Sequence, residues 1–371
     1  MSGSKDTNSG FLRRLTRRAD IHNPLGYCFT PPETIVLGVN NICNLHCVMC
    51  DVGTGTSTSA FARSLTGARP VNMPEDLLRR VIDEAALFRP RPEIGFAFTE
   101  PGIYPHLAVG IAHAHRSGLR TSLTTNGWTL RHLAADLADA GLDLLYVSLD
   151  GPPDVHDAVR RKPGSFTAAA DGIVELNRLR SIPTNVCFAV TNENHAHIAP
   201  FLRSISHLPL ASVILMHTNF VTPEMVGAHN QVHRTRYPAA VSSLARFDPE
   251  KVDTAVLSRE LAEAAAPGQF PFRVDVQPSL LAKEDLDKYY RASSTPIGKR
   301  CIDPHRFLMV KSSGDVIAAH GRCYDVRVGN LYDERLARIW NSEPMRAFRS
   351  TLVRSGGMLP ACTRCCGGFS R

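Results

Sequence analysis

Short apolar or β-branched runs alternate with helix-patterned segments from Thr34 onward, and this alternation limits the possible folds more than any other feature of the chain. Candidate strands are Thr34–Val39, Glu93–Phe98, Arg120–Thr124, Leu144–Leu149, Thr184–Val190 and Ser212–Met216. Helical periodicity between them covers Pro74 to about Leu87, Leu107–Ser117, Leu130–Ala140, Ser165–Arg180 and approximately Ala196–Ile205. Pro74 followed by Glu75 and Asp76 marks a helix start, with acidic groups at the positive end of the helix dipole. Six βα repeats in about 190 residues call for a parallel sheet covered by helices. Periodicity alone leaves a partial barrel and a doubly wound sheet both open.

The first candidate strand leads straight into Cys43-Asn44-Leu45-His46-Cys47-Val48-Met49-Cys50. Three thiolates this close in a flexible loop can hold three irons of one [4Fe–4S] cube, which normally takes four cysteines. The fourth iron is then open to a small chelating molecule. Zinc is the competing reading, but structural zinc asks for four ligands, usually from paired knuckles, and no second CxxC lies nearby. A disulfide framework suits small secreted domains rather than a chain of 371 residues without a signal peptide.

A hydrophobic fraction of 43% and a charged fraction of 21% are ordinary for a globular protein. No apolar stretch reaches the ~18 residues of a membrane span, so no membrane partner is expected. Ten cysteines suit a reducing compartment, and the expected location is cytoplasmic. The net charge of +7 does not predict nucleic-acid binding, because the basic residues are scattered. Their one tight cluster, Arg13, Arg14, Arg17 and Arg18 among Phe11, Leu12 and Leu15, predicts an amphipathic helix with a solvated basic face.

At the cysteine run the chain resembles the radical S-adenosylmethionine (radical SAM) enzymes. The resemblance implies that the amino and carboxylate groups of S-adenosylmethionine chelate the open iron. Reductive cleavage then gives a 5′-deoxyadenosyl radical that takes hydrogen from an unactivated C–H bond. It also implies the fold: α/β, a partial (β/α)6 TIM-like barrel with chemistry at the strands' C-terminal ends. Met49 stands where the family places a contact to the adenine. Phe98-Thr99-Glu100-Pro101-Gly102 resembles the family's Gly-Gly-Glu-Pro motif, which receives the cofactor's ammonium, with Phe98 and Thr99 in place of the glycines. Only Glu100 and Pro101 carry over. Thr124-Thr125-Asn126-Gly127 and Ser148-Leu149-Asp150-Gly151 resemble segments that meet the ribose and methionine parts, implicating Thr125, Asn126, Ser148 and Asp150. Arg160, in the stretch Asp150…His156-Asp157…Arg160, is a candidate for the cofactor carboxylate, and Asn192 for a further polar contact.

Near the C-terminus Cys301, Cys323, Cys362 and Cys365, with Cys366 adjoining, resemble the "twitch" domain, a shortened SPASM domain with one auxiliary [4Fe–4S] cluster. Two [4Fe–4S] clusters are therefore implied. Zinc remains an alternative for this second set, and Cys366 could substitute for Cys365. Ser313-Gly314-Asp315-Val316 and Gly329-Asn330-Leu331, with a helix to Trp340, match that domain's hairpin-then-helix pattern. The expected organisation is an extension over 1–33 (partly disordered to about Gly10), the barrel over 34–225, a linker and lid over 226–293 with one helix near Thr254–Ala265, and a small α+β auxiliary iron–sulfur domain over 294–371.

The function implied is that of a dehydrogenase. The radical takes a carbinol hydrogen, a base takes the hydroxyl proton, and the auxiliary cluster receives the electron, giving a ketone. This resembles twitch-bearing dehydrogenases of aminoglycoside biosynthesis, with a small aminocyclitol or sugar as substrate and a flavodoxin- or ferredoxin-type electron donor. His217, at the end of the sixth strand, is the candidate base, with His320 a second candidate. Cys187 on the fifth strand is the candidate hydrogen donor for the competing reaction, sugar epimerisation. Decarboxylation of a sugar acid, peptide modification and a zinc-stapled binding protein complete the alternatives.

Overall fold

The computed structural model describes residues 5–65, 69, 71–293, 295–319, 324 and 326–369. Among the described residues ten strands belong to one sheet: β1 Thr34–Gly38, β2 Glu93–Phe96, β3 Thr121–Thr125, β4 Leu144–Ser148, β5 Thr184–Val190, β6 Ser212–His217, β7 Arg273–Gln277, β8 Phe307–Lys311, β9 Asp315–Ile317 and β10 Arg327–Asn330. Their spatial order is β10-β9-β8-β1-β2-β3-β4-β5-β6-β7. From β8 through β7 every neighbouring pair is parallel, and only β8-β9-β10 is antiparallel. All six expected strands are present, Thr184–Val190 with its bounds unchanged and the other five with one or both ends shifted by one or two residues.

Two expectations about organisation change. The stretch expected as a linker and lid contributes β7, which pairs with β6 over Ser212–Met216. Its helix Thr254–Ala264 docks on the barrel helix Ile198–Ser204, where Ala199 N donates to Glu260 Oε2 at 2.7 Å and Arg203 pairs with Glu263 at 2.6 Å. The C-terminal region does not build a sheet of its own. β8 lies beside β1, five residues in register, so the hairpin extends the barrel sheet.

Helical amphipathicity explains the outer layer. In Glu75–Ala85 the buried residues are Leu77, Leu78, Val81, Ile82 and Ala85, one face of a 3.6-residue period. Each fully buried leucine or isoleucine contributes about 1.5–3 kcal/mol relative to exposure. Along β5 the pattern is different: Cys187 and Ala189 are half-open between fully buried neighbours, so they face the interior of the sheet's curve. That curve is tight. Val36 of β1 and Gln277 at the end of β7 line one cavity although they stand at opposite ends of the seven-strand run.

The N-terminal segment is stitched to the C-terminal one. Its helix begins at Lys5 and runs to His22. Arg17, expected on a solvated face, instead pairs with Glu33 at 3.0 Å and donates to Pro31 O and His305 O. Buried Arg349 stacks 4.0 Å over Trp340 and donates to Gly26 O and Pro304 O, while Trp340 Nε1 donates to Thr30 O at 2.9 Å. A buried guanidinium persists only where such acceptors surround it. Among the described residues no helix is long and apolar enough to cross a membrane.

Candidate active site

The loop after β1 carries Cys43, Cys47 and Cys50, and its neighbours fix it from three sides. Val48 N donates to Val159 O at 3.0 Å. Leu45, Cys47, Val48, Met49 and Val159 form a small apolar cluster against which Cys43, Cys50, Val155 and Ala189 pack. Gly53 completes the turn: a Cβ there would lie 2.6 Å from Cys47 N, so the position admits glycine alone. Burial pushes the Cys43 thiol up to about 12 and the Cys47 thiol up to about 11, with Arg160 opposing the rise at Cys47. Metal binding must therefore expel protons from this loop.

The donor set fits an iron–sulfur cluster. Three soft thiols share one loop, Arg160 Nη1 lies 3.5 Å from Cys47 Sγ, and Asn126 Nδ2 lies 4.0 Å from Cys43 Sγ. Hydrogen bonds to cluster sulfurs are among the terms that set such a centre's potential. Among the described residues no three His, Cys, Asp or Glu side chains converge as ligands of a single ion. A cube does not need that convergence, because each thiolate takes a different corner.

Around the loop stand the residues expected to meet the cofactor, and burial divides them. Glu100 has no exposed surface. Its Oε1 accepts from Gly102 N at 2.7 Å and Thr125 Oγ1 at 2.6 Å, and its Oε2 accepts from Asn126 N at 2.7 Å. Burial raises its pKa while these three donors pull it back. Pro101 opens the single turn that follows. The carboxylate thus acts through Asn126, whose side chain also donates to Asn44 Oδ1 at 2.8 Å. Thr125 is likewise enclosed. Asp150, also unexposed, accepts from Ala189 N at 2.7 Å and pairs with Arg160 Nε. Burial by itself would lower the Arg160 pKa, but Asp150 and the Cys47 sulfur hold it above its ordinary value. The groups left facing the interior are Asn126, Ser148 and Arg160, while Met49 is buried in the loop's apolar cluster. Asn192 is drawn outward, its Oδ1 accepting from Asp248 N at 3.1 Å.

Cys187 lies in register with Ser148 on one side and Ile214 on the other. Burial, with the Asp150 charge nearby, pushes its thiol up to about 12, so it stays protonated. His217 does not face the interior. It lies on the opposite face of β6, 2% exposed, with Nδ1 2.8 Å from the Tyr290 hydroxyl and Nε2 3.1 Å from Leu280 O. Both ring nitrogens are committed, and burial lowers its pKa to about 4. The expected base is a packing residue that anchors helix Lys283–Tyr290.

That helix also anchors the second cysteine set. Arg364, inside the Cys362–Cys365 turn and without exposed surface, donates to the carbonyls of Lys288, Tyr289, Ala292, Thr295 and Thr363. A guanidinium capping a helix C-terminus satisfies carbonyls that the helix leaves unpaired. Tyr324 Oη lies 3.2 Å from Cys362 Sγ. Asn219, two residues past β6, brackets Cys366: its Oδ1 accepts from Cys366 N at 2.9 Å, and its Nδ2 lies 3.4 Å from Cys366 Sγ. A Cβ on Gly367 would stand 3.2 Å from Cys301 Sγ, which puts Cys301 beside the same turn. Cys323 and His320 lie outside the described residues.

Beside the second cysteine set is a cavity of about 320 Å³ lined by Val36, Phe98, Gln277, Asp303, Phe307 and Cys366, among others. Phe98 joins the apolar cluster that includes Cys50. The cavity thus touches the second set directly through Cys366, and Phe98 connects it to the apolar cluster on which Cys50 packs. Arg364 and Asp303 carry no sequence signal of their own, since a lone arginine or aspartate usually marks a solvated surface. The positive φ of Phe98, 73°, explains why the resembling motif has glycine there.

Comparison with known proteins agrees with this arrangement. Residues 38–205 match the Radical SAM superfamily, and residues 301–366 match the SPASM iron–sulfur cluster-binding domain. The chain is 22% identical over 355 residues to the tungsten-containing aldehyde ferredoxin oxidoreductase cofactor-modifying protein of Pyrococcus furiosus, covering 89% of this chain and 86% of that one. It is 29% identical over 161 residues to the Fe-coproporphyrin III synthase of Methanosarcina barkeri, 43% of this chain but only 37% of that relative's length. Among solved structures, Streptococcus suis SuiB bound to S-adenosylmethionine superposes with a TM-score of 0.63 at 14% identity, covering 97% of this chain and 78% of that one. At that identity the likeness concerns the fold.

Proposed function

This chain carries a radical SAM domain followed by a SPASM domain, and from that premise we propose that it oxidises a secondary alcohol of a small single-ring substrate, of the aminocyclitol or sugar class, to a ketone. Cys43, Cys47 and Cys50 hold the cluster that binds S-adenosylmethionine, and Cys301, Cys323, Cys362 and Cys365 hold the auxiliary one. Together the bound cluster and S-adenosylmethionine supply a carbon radical able to take hydrogen from an unactivated C–H bond. Asn126, Ser148 and Arg160 orient polar groups at the strand ends. The observation that carries the reading is the cavity lined by Cys366 and by Phe98, which packs on the cluster around Cys50, because an alcohol oxidised by two electrons must lie near both redox sites. Its volume, about 320 Å³, is at the small end of ligand pockets. One substituted ring fits a space of that size.

With His217 turned away, the hydroxyl proton needs another acceptor. Asp303 is the carboxylate that lines the cavity, and it takes that role. Replacing Asp303 with Asn is expected to lower turnover about 100-fold or more while both clusters still load. The test is anaerobic reconstitution of the full chain with a flavodoxin- or ferredoxin-type donor and candidate cyclitols and sugars. One 5′-deoxyadenosine per product two hydrogens lighter supports oxidation. Stoichiometric zinc with no cofactor cleavage would defeat it.

One observation favours a second reading. The Cys187 thiol faces the interior and stays protonated, the state that can return a hydrogen atom. Under that reading the product has unchanged mass in light water and carries solvent deuterium in heavy water, and Cys187→Ala abolishes it. A dehydrogenase tolerates Cys187→Ala.

A further inference from the structure

Asp51 follows the last cysteine of the first set, and its carboxylate is engaged by Ser242 and Ser243 and 1% exposed. Its Oδ2 accepts from Ser242 Oγ at 2.6 Å, and its Oδ1 accepts from Ser243 N at 2.7 Å. Ser243 sits at φ 64°, a left-handed conformation that costs a non-glycine residue about 1 kcal/mol or more. Backbone held in such a region persists only where its surroundings fix it, and the Asp51 carboxylate is one of the groups that do. Ser242 in turn forms an isolated antiparallel bridge with Val221, with N–H···O contacts of 3.1 and 3.2 Å. Val221 is two residues beyond Asn219, which grips Cys366 through both its amide oxygen and its amide nitrogen.

These contacts form a continuous train. It runs from Cys50 through Asp51 to Ser242 and Val221, and along three residues of backbone to Asn219 and Cys366. We infer that Asp51 is a positioning residue that fixes the three-cysteine loop to the segment holding the C-terminal cysteines, so that the two iron–sulfur sites keep one separation. The pairing of β1 with β8 ties the Cys301 side of the second set to the first, but Cys366 is gripped by the segment after β6, which stands five strands from β1. A short polar bridge across the strand ends ties that segment to the first set. The inference is independent of the reaction proposed above, since it concerns only the relation between the two sites.

The test uses the full chain loaded with iron and sulfide, in four forms: unaltered, Asp51→Ala, Asp51→Asn and Ser242→Ala. Asparagine keeps an acceptor for Ser243 N and offers the Ser242 hydroxyl a partner, so it separates the latch from the charge. Amide hydrogen exchange at Cys366 is expected to rise at least fivefold in Asp51→Ala and about twofold in Ser242→Ala, and to stay within twofold of the unaltered chain in Asp51→Asn. The magnetic interaction between the two reduced clusters is expected to broaden in the same order. Unchanged exchange at Cys366 in Asp51→Ala overturns the inference. So does an Asp51→Asn chain as perturbed as the alanine variant, which would make the charge rather than the bridge responsible. If Asp51→Ala does not fold, Ser242→Ala decides by the same two readings.

Discussion

At the scale of single residues, the site is built by buried polar groups that hold other side chains and backbone in place. Glu100 shapes the turn that presents Asn126, Asp150 holds Arg160 toward Cys47, and Arg364 clasps the Cys362–Cys365 turn. His217 shows how such groups register in solution. Burial lowers its pKa to about 4, below the 6.5 of a free histidine, so the folded chain refuses a proton that the unfolded chain accepts. Stability is therefore fully present above about pH 6.5 and is lost as pH falls toward 4, by up to about 3 kcal/mol from this residue. His305, lowered to about 3, adds a loss of the same sign. His217→Gln, which can still accept from Tyr290 and donate to Leu280 O, is expected to show a shallower loss between pH 6.5 and 4. Parallel urea melts of the two chains across that window check it, and equal slopes would refute it.

At the scale of elements, the strand ends and the loops that leave them do the chemical work. The cysteine loop has little freedom, because Gly53 brings the chain back against Cys47. Gly53→Ala forces backbone to move where a Cβ would meet Cys47 N, a clash no rotamer relieves. Bound iron after reconstitution is expected to fall by roughly the four atoms of one cluster, while the C-terminal set still loads. Iron and sulfide assays on the purified variant decide this, and full loading would show the loop to be more pliant than its geometry implies. The helices were legible in the sequence because amphipathic periodicity is a local property, as in Glu75–Ala85. β7 was not. Its pattern, Arg273-Val274-Asp275-Val276-Gln277, leaves it half-exposed, and a lone edge strand gives no continuous apolar signal.

Across the whole molecule, the two cysteine sets belong to one sheet rather than to two tethered bodies. β8 covers the edge of β1, and Trp340 and Arg349 clamp the N-terminal segment. A chain ended at residue 293 would expose that edge, the Val36 face and Gly26 O, which Arg349 serves. It is expected to lose its cooperative thermal transition and to aggregate, rather than behave as a free barrel. Calorimetry and near-ultraviolet circular dichroism of the truncated chain test this, and a sharp transition would show that the barrel folds alone.

The sequence by itself determined the order of six strands and their helices, the three-cysteine loop at the end of the first strand, and the cysteine-rich C-terminus. Each of these is written in local spacing: period 2, period 3.6, and the reach of thiols a few residues apart. Only the tertiary structure decided that β8 extends the barrel, that His217 faces the outer layer, and that Asp303, Asn219, Arg364 and Asp51 belong to the site. Those outcomes depend on which face of a strand is buried and on partners far apart in sequence, such as Asp51 and Ser242, 191 residues apart. Burial and long-range pairing are properties of the packed chain, and no local pattern carries them.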